Sequence, residues 1–364
     1  MNVDPGVGVP RGGAPLRIAL MGAGRIGRKL MRRVAGDARF EVAAISDTSG
    51  TILKEPRFTG ADLTEVALFK EARGRLSELP GEHERCSDPV EGLRRAGAGV
   101  LVDVTAAQTY PVLQEALEDA HVVAANKIPF ADVSYERYVA LLAKARELGR
   151  ALEYGTTAGA GLRVPDLLRS LGSCGVDGFS GCLSGTMNYV SQRLNDGTSL
   201  SEAVREAMGP PRFYAEPDPR VDLGGGDFAR KLVILARMCL RPVECGDVEV
   251  EALVREEHAG LPVKEFVEAL PEYDEEMRRR VDKARGAGEA YWFLGTADIA
   301  DDVYCIGFKG VPLGEPIAKS RESDNVLVIH PSRWRRPVTL MGPGAGPPET
   351  VTGLIAGLSS IYYS

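Results

Sequence analysis

The sequence predicts an α/β protein, with a parallel-sheet domain first and an α+β domain after it. Three observations carry this. A short apolar run, Leu16–Met21, feeds directly into the pattern Gly22-x-Gly24-x-x-Gly27. Up to Tyr154, short apolar runs alternate with stretches of helical spacing. Beyond Gly155 that alternation gives way to a mixture of helices and strands. Strand–helix alternation is the mark of a parallel sheet covered on both faces. A chain of 364 residues suits about two domains of roughly 150 residues each.

The elements follow in order. Residues Met1–Pro15, rich in Gly, Pro and Val, form a lead-in without the apolar core of a signal peptide. Leu16–Met21 is the first strand, Arg28–Val34 has helical spacing, and Phe40–Ile45 is a second strand ending in Ser46-Asp47. Thr51–Pro89, charged and broken by Gly74, Pro80 and Gly81, reads as a helix-bearing insertion. Val100–Val104 and His121–Ala125 are strands flanking a helix over Tyr110–Asp119. Tyr135–Leu148 is helical and Ala151–Tyr154 completes a first domain spanning 16–154. A second domain, 155–328, holds helices over Pro165–Leu171, Thr186–Leu194, Ser199–Met208 and Asp227–Leu240, with a strand at Val176–Ser184. An Arg/Glu-rich helix lies near Glu275–Arg285, and residues 329–364 end in a helix over Glu349–Ser359.

Composition narrows the function. The formal net charge of −7 argues against general nucleic-acid binding, which needs a basic face for phosphates. No apolar run reaches the roughly 18 residues of a membrane span. Six cysteines without a C-x-x-C pair, and four scattered histidines, give little support to a zinc site. Reduced thiols in a cytoplasmic protein are the plain reading.

The first glycine pattern has the context of a Rossmann-type dinucleotide site, a strand before it and a helix after it. Gly22 permits the tight turn, Gly24 lets the backbone approach a pyrophosphate, and Gly27 lets helix and strand pack closely. The N–H groups around Arg25 and Ile26 open the helix and face the phosphates. Asp47, twenty residues beyond Gly27, stands where a carboxylate accepts hydrogen bonds from an adenosine ribose. No base follows Asp47 until Lys54, which favours NAD over NADP, although Arg25 and Lys54 leave NADP open.

A second stretch runs from Tyr214 to Leu235. Acids, prolines and the triplet Gly224–Gly226 precede an apolar helix. Asp227 and Lys231, four apart, project from one side of it. Leu232, Ile234, Leu235 and Met238 surround Lys231, while Arg230, Arg237 and Arg241 form a separate polar stripe. Burial lowers a lysine pKa toward neutrality and suits it to proton transfer. On spacing alone the pair is a solvated ion pair.

Three segments together resemble homoserine dehydrogenase: Ala124-Ala125-Asn126-Lys127, Gly185-Thr186-Met187-Asn188-Tyr189-Val190, and Tyr214-Ala215-Glu216 with Asp218, Pro219, Asp222, Asp227 and Lys231. The closing Gly342-Pro343-Gly344-Ala345-Gly346 also fits, so the resemblance covers nearly the whole chain from Leu16. It implies hydride transfer between NAD(P) and an amino-acid substrate, interconverting L-homoserine and L-aspartate 4-semialdehyde. Lys231 is then the general acid/base, Asp227 its orienting partner, and Lys127 a catalytic or cofactor-side cation. Glu216 is implied to bind the substrate ammonium, with Gly185, Thr186, Tyr214 and Asp222 around it. Thr105, Asn126, Lys127 and Gly344 are implied on the cofactor side. The bland readings are a surface charge for Lys127 and helix capping for Thr186 and Asn188. The resemblance further implies a short form without a regulatory domain, a homodimer or homotetramer, and a C-terminal helix returning to the first domain.

One loop departs from the family. Its usual glutamate is Gly155 here, and its usual proline is Arg163. In the family this loop holds a monovalent cation, sodium, partly through that carboxylate. Only backbone carbonyls, at Ala158 and Ala160, remain as candidate ligands. Ser184 stands where the family often has asparagine. Two other functions therefore stay open: a related oxidoreductase of specialised metabolism acting on another amino-acid aldehyde or alcohol, and a non-catalytic dinucleotide-binding protein.

Overall fold

A computed structural model describes residues 13–172 and 175–364. Most of the lead-in over Met1–Pro15, and Cys174, lie outside the described residues. The first sheet is built from β1 (Leu16–Met21), β2 (Phe40–Asp47), β3 (Gly50–Leu53), β4 (Glu84–Cys86), β5 (Val100–Asp103), β6 (His121–Ala124) and β7 (Leu152–Glu153), in the order β4-β3-β2-β1-β5-β6-β7. From β2 to β7 every pairing is parallel. Their near-continuous apolar composition matches burial on both faces. The segment Thr51–Pro89 carries the expected helix, Gly60–Glu71, capped by Thr59 and Asp62. It also adds β3 and β4, antiparallel, at the sheet edge. β3 is only four residues long and β4 is a three-residue charged strand, so neither carries a legible alternation.

The second domain holds β8 (Val176–Cys182), β9 (Glu249–Val250), β10 (Glu289–Asp298), β11 (Val303–Pro312), β12 (Asp324–Pro331) and β13 (Val338–Pro343), in the order β13-β12-β8-β10-β11-β9. All pairings but the two-residue β11–β9 contact are antiparallel. Helices Gly185–Asn195, Gly226–Met238 and Asp274–Gly286 pack against β10. The second sheet thus continues to Pro343, past the boundary expected at residue 328. The return to the first domain is made by Pro347–Tyr363. That helix buries Val351, Leu354, Leu358 and Ile361 in one apolar cluster with Leu30, Val34 and Val123 of the first domain. Each such side chain, fully buried, contributes about 1.5–3 kcal/mol.

The helix Gly226–Met238 is bolted to the first domain from the other side. Arg237, placed by its spacing on a polar stripe, is 1% exposed. Its guanidinium donates to the carbonyls of Phe130, Val133 and Val243 and pairs with Glu244. Arg230 clamps Asp132 at 2.8 Å. Periodicity measured the helix surface; it did not show that the segment after β6 covers that surface.

Candidate active site

The cofactor cradle forms where β1 and β5 end. Gly22 adopts φ +110°, and its N–H donates to the Ser46 carbonyl at 2.9 Å. A Cβ on Gly22 would press on the backbone of Val104 and Thr105 at 3.0–3.1 Å, and one on Gly27 would overlap the Gly22 carbonyl. Over Gly24 a Cβ would meet open space. Among the described residues no side chain caps the helix Arg25–Val34, and no acid stands in its first turn. The N–H groups near Arg25 and Ile26, uncapped by any side chain among the described residues, are therefore donors for an anion. These residues fit a dinucleotide pyrophosphate.

Asp47 ends β2 as expected, but it is not alone. One carboxylate oxygen accepts from the N–H (2.7 Å) and hydroxyl of Ser49, and the other is paired with Lys70. Burial raises its pKa, yet Lys70 and Ser49 outweigh that and hold it below the usual carboxylate value. Lys70 lies on the insertion helix, and no motif around it signalled a role. Lys54 pairs with Asp62 instead. Thr105 and Thr109 hydrogen-bond to buried Asp103. The Asn126 amide donates to Asp103, Thr105, Thr109 and the Ala107 carbonyl, and its oxygen accepts from Ile128 N–H. Its side chain thus helps to shape the crevice wall. The acceptors that claim it lie at the end of β5 and in the loop after it, which the sheet order brings beside Asn126.

Lys127, just past β6, meets the second domain. Its Nζ lies 3.1 Å from one Asp227 oxygen, while Lys231 Nζ lies 2.8 Å from the other. Lys231 also donates to the Leu183 carbonyl at 2.7 Å, and its side chain is 12% exposed. An ammonium has three N–H donors, so one remains. Burial works to raise the Asp227 pKa, but Lys231 and Lys127 override it and hold it well below the carboxylate range. Two domains and three charges converge, which spacing alone did not show for Lys127.

Around this triad stand the expected substrate-side groups. The Glu216 N–H donates to Asp222 at 2.9 Å, while the Glu216 side chain is exposed and without an ion-pair partner among the described residues. Burial pushes the Asp222 carboxyl upward. Gly225, at φ +72°, makes the turn into the helix that carries Asp227 and Lys231. The Thr186 hydroxyl donates to the Tyr214 carbonyl, and Tyr214 to Glu322. Ser184 caps the helix Gly185–Asn195 through Met187 N–H. Asn188 is fully buried, bound to Trp292, Ser320 and the Glu322 carbonyl. Gly344 packs so closely on Asn325 that a Cβ would overlap it, and the neighbouring Ala345 lies against Gly185.

The fold and this site define a two-domain, dinucleotide-binding protein with a lysine–aspartate–lysine cluster at the domain junction. Residues 165–358 match the homoserine dehydrogenase family and residues 22–155 match its NAD-binding domain. The homoserine dehydrogenase of Schizosaccharomyces pombe is 29% identical over 95% of this chain and 95% of its own. A bifunctional aspartokinase/homoserine dehydrogenase of Haemophilus influenzae is 35% identical over 71% of this chain and 32% of its own. The matched region spans only 38% of a similar carrot protein, so this chain covers a minor part of those bifunctional relatives. Among solved structures, a protein of unknown function from Candida auris has a TM-score of 0.83 at 24% identity, covering 96% of this chain and 98% of that one. A putative homoserine dehydrogenase from Archaeoglobus fulgidus scores 0.77 at 23%, covering 96% and 100%. Both likenesses concern the fold alone. The chain belongs to the homoserine dehydrogenase family, a family of NAD(P)-dependent oxidoreductases.

Proposed function

We propose that this protein interconverts L-homoserine and L-aspartate 4-semialdehyde with NAD(P). The observation that carries the reading is the Lys127–Asp227–Lys231 cluster, set where the crevice of the first domain opens onto the second. In the reducing direction NAD(P)H, once bound in the first-domain crevice, would supply the hydride for the aldehyde carbon. The carbonyl oxygen gains negative charge and takes a proton from Lys231 Nζ, whose remaining N–H is not claimed by Leu183 or Asp227. Asp227 holds both ammonium groups in place, and Lys127 offsets the developing charge. The unpaired Glu216 carboxylate binds the substrate ammonium, with Thr186 and Tyr214 fixing the loop beside it.

We favour NAD, because Asp47 presents a carboxylate where NADP carries a 2′-phosphate. Lys70, paired to that carboxylate, is the observation on the other side. The family likeness also supports a homodimer or homotetramer, which sedimentation velocity measures. The decisive assay follows NADH and NADPH consumption with L-aspartate 4-semialdehyde. Turnover lost in Lys231→Ala, and faster with NADH, is the expected result. Cofactor binding without turnover of this aldehyde sinks the reading. Turnover of a different amino-acid aldehyde instead identifies a relative with altered specificity.

A further inference from the structure

Arg163 lies in the loop for which the sequence offered a metal ion. Both candidate carbonyls already serve backbone N–H groups. Ala158 carbonyl accepts from Val164 N–H at 3.3 Å, and Ala160 carbonyl from Arg163 N–H at 3.2 Å. A glutamate at position 155 would have to displace the Asp166 carboxylate, which a Cβ there would overlap. That carboxylate is instead paired with the Arg163 guanidinium, which also pairs with Glu153 at the edge of the first sheet. The same guanidinium reaches the Gly353 carbonyl of the C-terminal helix at 3.4 Å.

The C-terminal helix is shaped for this contact. Gly353 and Gly357, one turn apart, face the loop. A Cβ on Gly353 would lie 2.7 Å from the Ala160 carbonyl, and one on Gly357 would lie 3.4 Å from an Arg163 nitrogen. Arg163 itself sits at φ +48°, a conformation an arginine rarely adopts. Tertiary contacts hold it there, and its planar fork serves several acceptors at once, which a spherical cation reaches only through separate ligands.

We propose that Arg163 replaces the monovalent cation in this chain. Its guanidinium joins the interdomain loop (Asp166), the first sheet (Glu153) and the C-terminal helix (Gly353), and neither folding nor turnover depends on sodium or potassium. Arg163 acts as a positioning residue, at a distance from the reacting atoms.

The primary test compares the intact protein in sodium, potassium and choline chloride at equal ionic strength. An ion bound only by the folded form raises Tm with its concentration. The expected result is no shift in Tm among the three salts. A Tm that climbs with sodium or potassium over choline overturns the proposal, whatever the substrate proves to be. Arg163→Ala is expected to lower Tm, with partial recovery in millimolar methylguanidinium and less in Arg163→Lys. An unchanged Tm in Arg163→Ala also overturns it. If that variant does not fold, the salt comparison on the native protein decides alone.

Discussion

At the residue scale, charge and contact explain the site. The low pKa of Asp227 results from two ammonium groups winning over burial. A carboxyl depressed on folding contributes stability above its unfolded value, and that stability is lost as pH falls through the folded one. Urea unfolding from about pH 4 downward is therefore expected to show a steeper loss in the native protein than in Asp227→Asn. Equal slopes would remove the ion-pair cluster from the account. Lys231→Ala should reduce kcat by about 10²–10⁴-fold, the range of general acid–base catalysis. Among the thiols, burial pushes Cys182 and Cys239 up to about 12. Neither should react with iodoacetamide in the folded protein, and both should label on unfolding, as mass spectrometry will read.

At the element scale, the helix Gly226–Met238 is the device that brings the domains' chemistry together. One end carries Asp227 and Lys231, and the other is locked by Arg237 to Phe130 and Val133 of the segment that Lys127 begins. Arg237→Met should cost roughly 3–5 kcal/mol, since it strands several buried carbonyls. It should also lower kcat at a distance from the reacting groups. Chemical denaturation and steady-state kinetics check both, and a stable, fully active variant would show that the lock has no bearing on Lys127. The elements themselves were largely legible. Strand β1, its glycine turn and the following helix have patterns set by local backbone geometry. Strands β3 and β4 were missed because a four-residue strand and a three-residue charged edge strand carry almost no alternation. The burial of Arg237 was missed because helical spacing reports a face without reporting what covers it.

At the scale of the whole molecule, an NAD-binding domain makes cofactor binding a stabilising event. NADH at about a hundred times its Kd should add about 2.7 kcal/mol to the unfolding free energy. Differential scanning fluorimetry measures this, and Gly27→Ala, whose Cβ would overlap the Gly22 carbonyl, should abolish the gain.

The sequence by itself determined the α/β class, the dinucleotide turn at Gly22–Gly27, the Asp227–Lys231 pair and the family. Each depends on residues close together in the chain, or on motifs whose order alone is informative. Only the tertiary structure decided that Lys127 shares Asp227, that Lys70 claims Asp47, that the Asn126 amide helps to shape the crevice wall, and that Arg163 fills the loop where Gly155 stands. These partners are separated by long stretches of chain or carried on different elements. Their meeting follows from sheet order and helix packing, and pairwise electrostatics acts only on groups that the fold has already brought within a few ångströms.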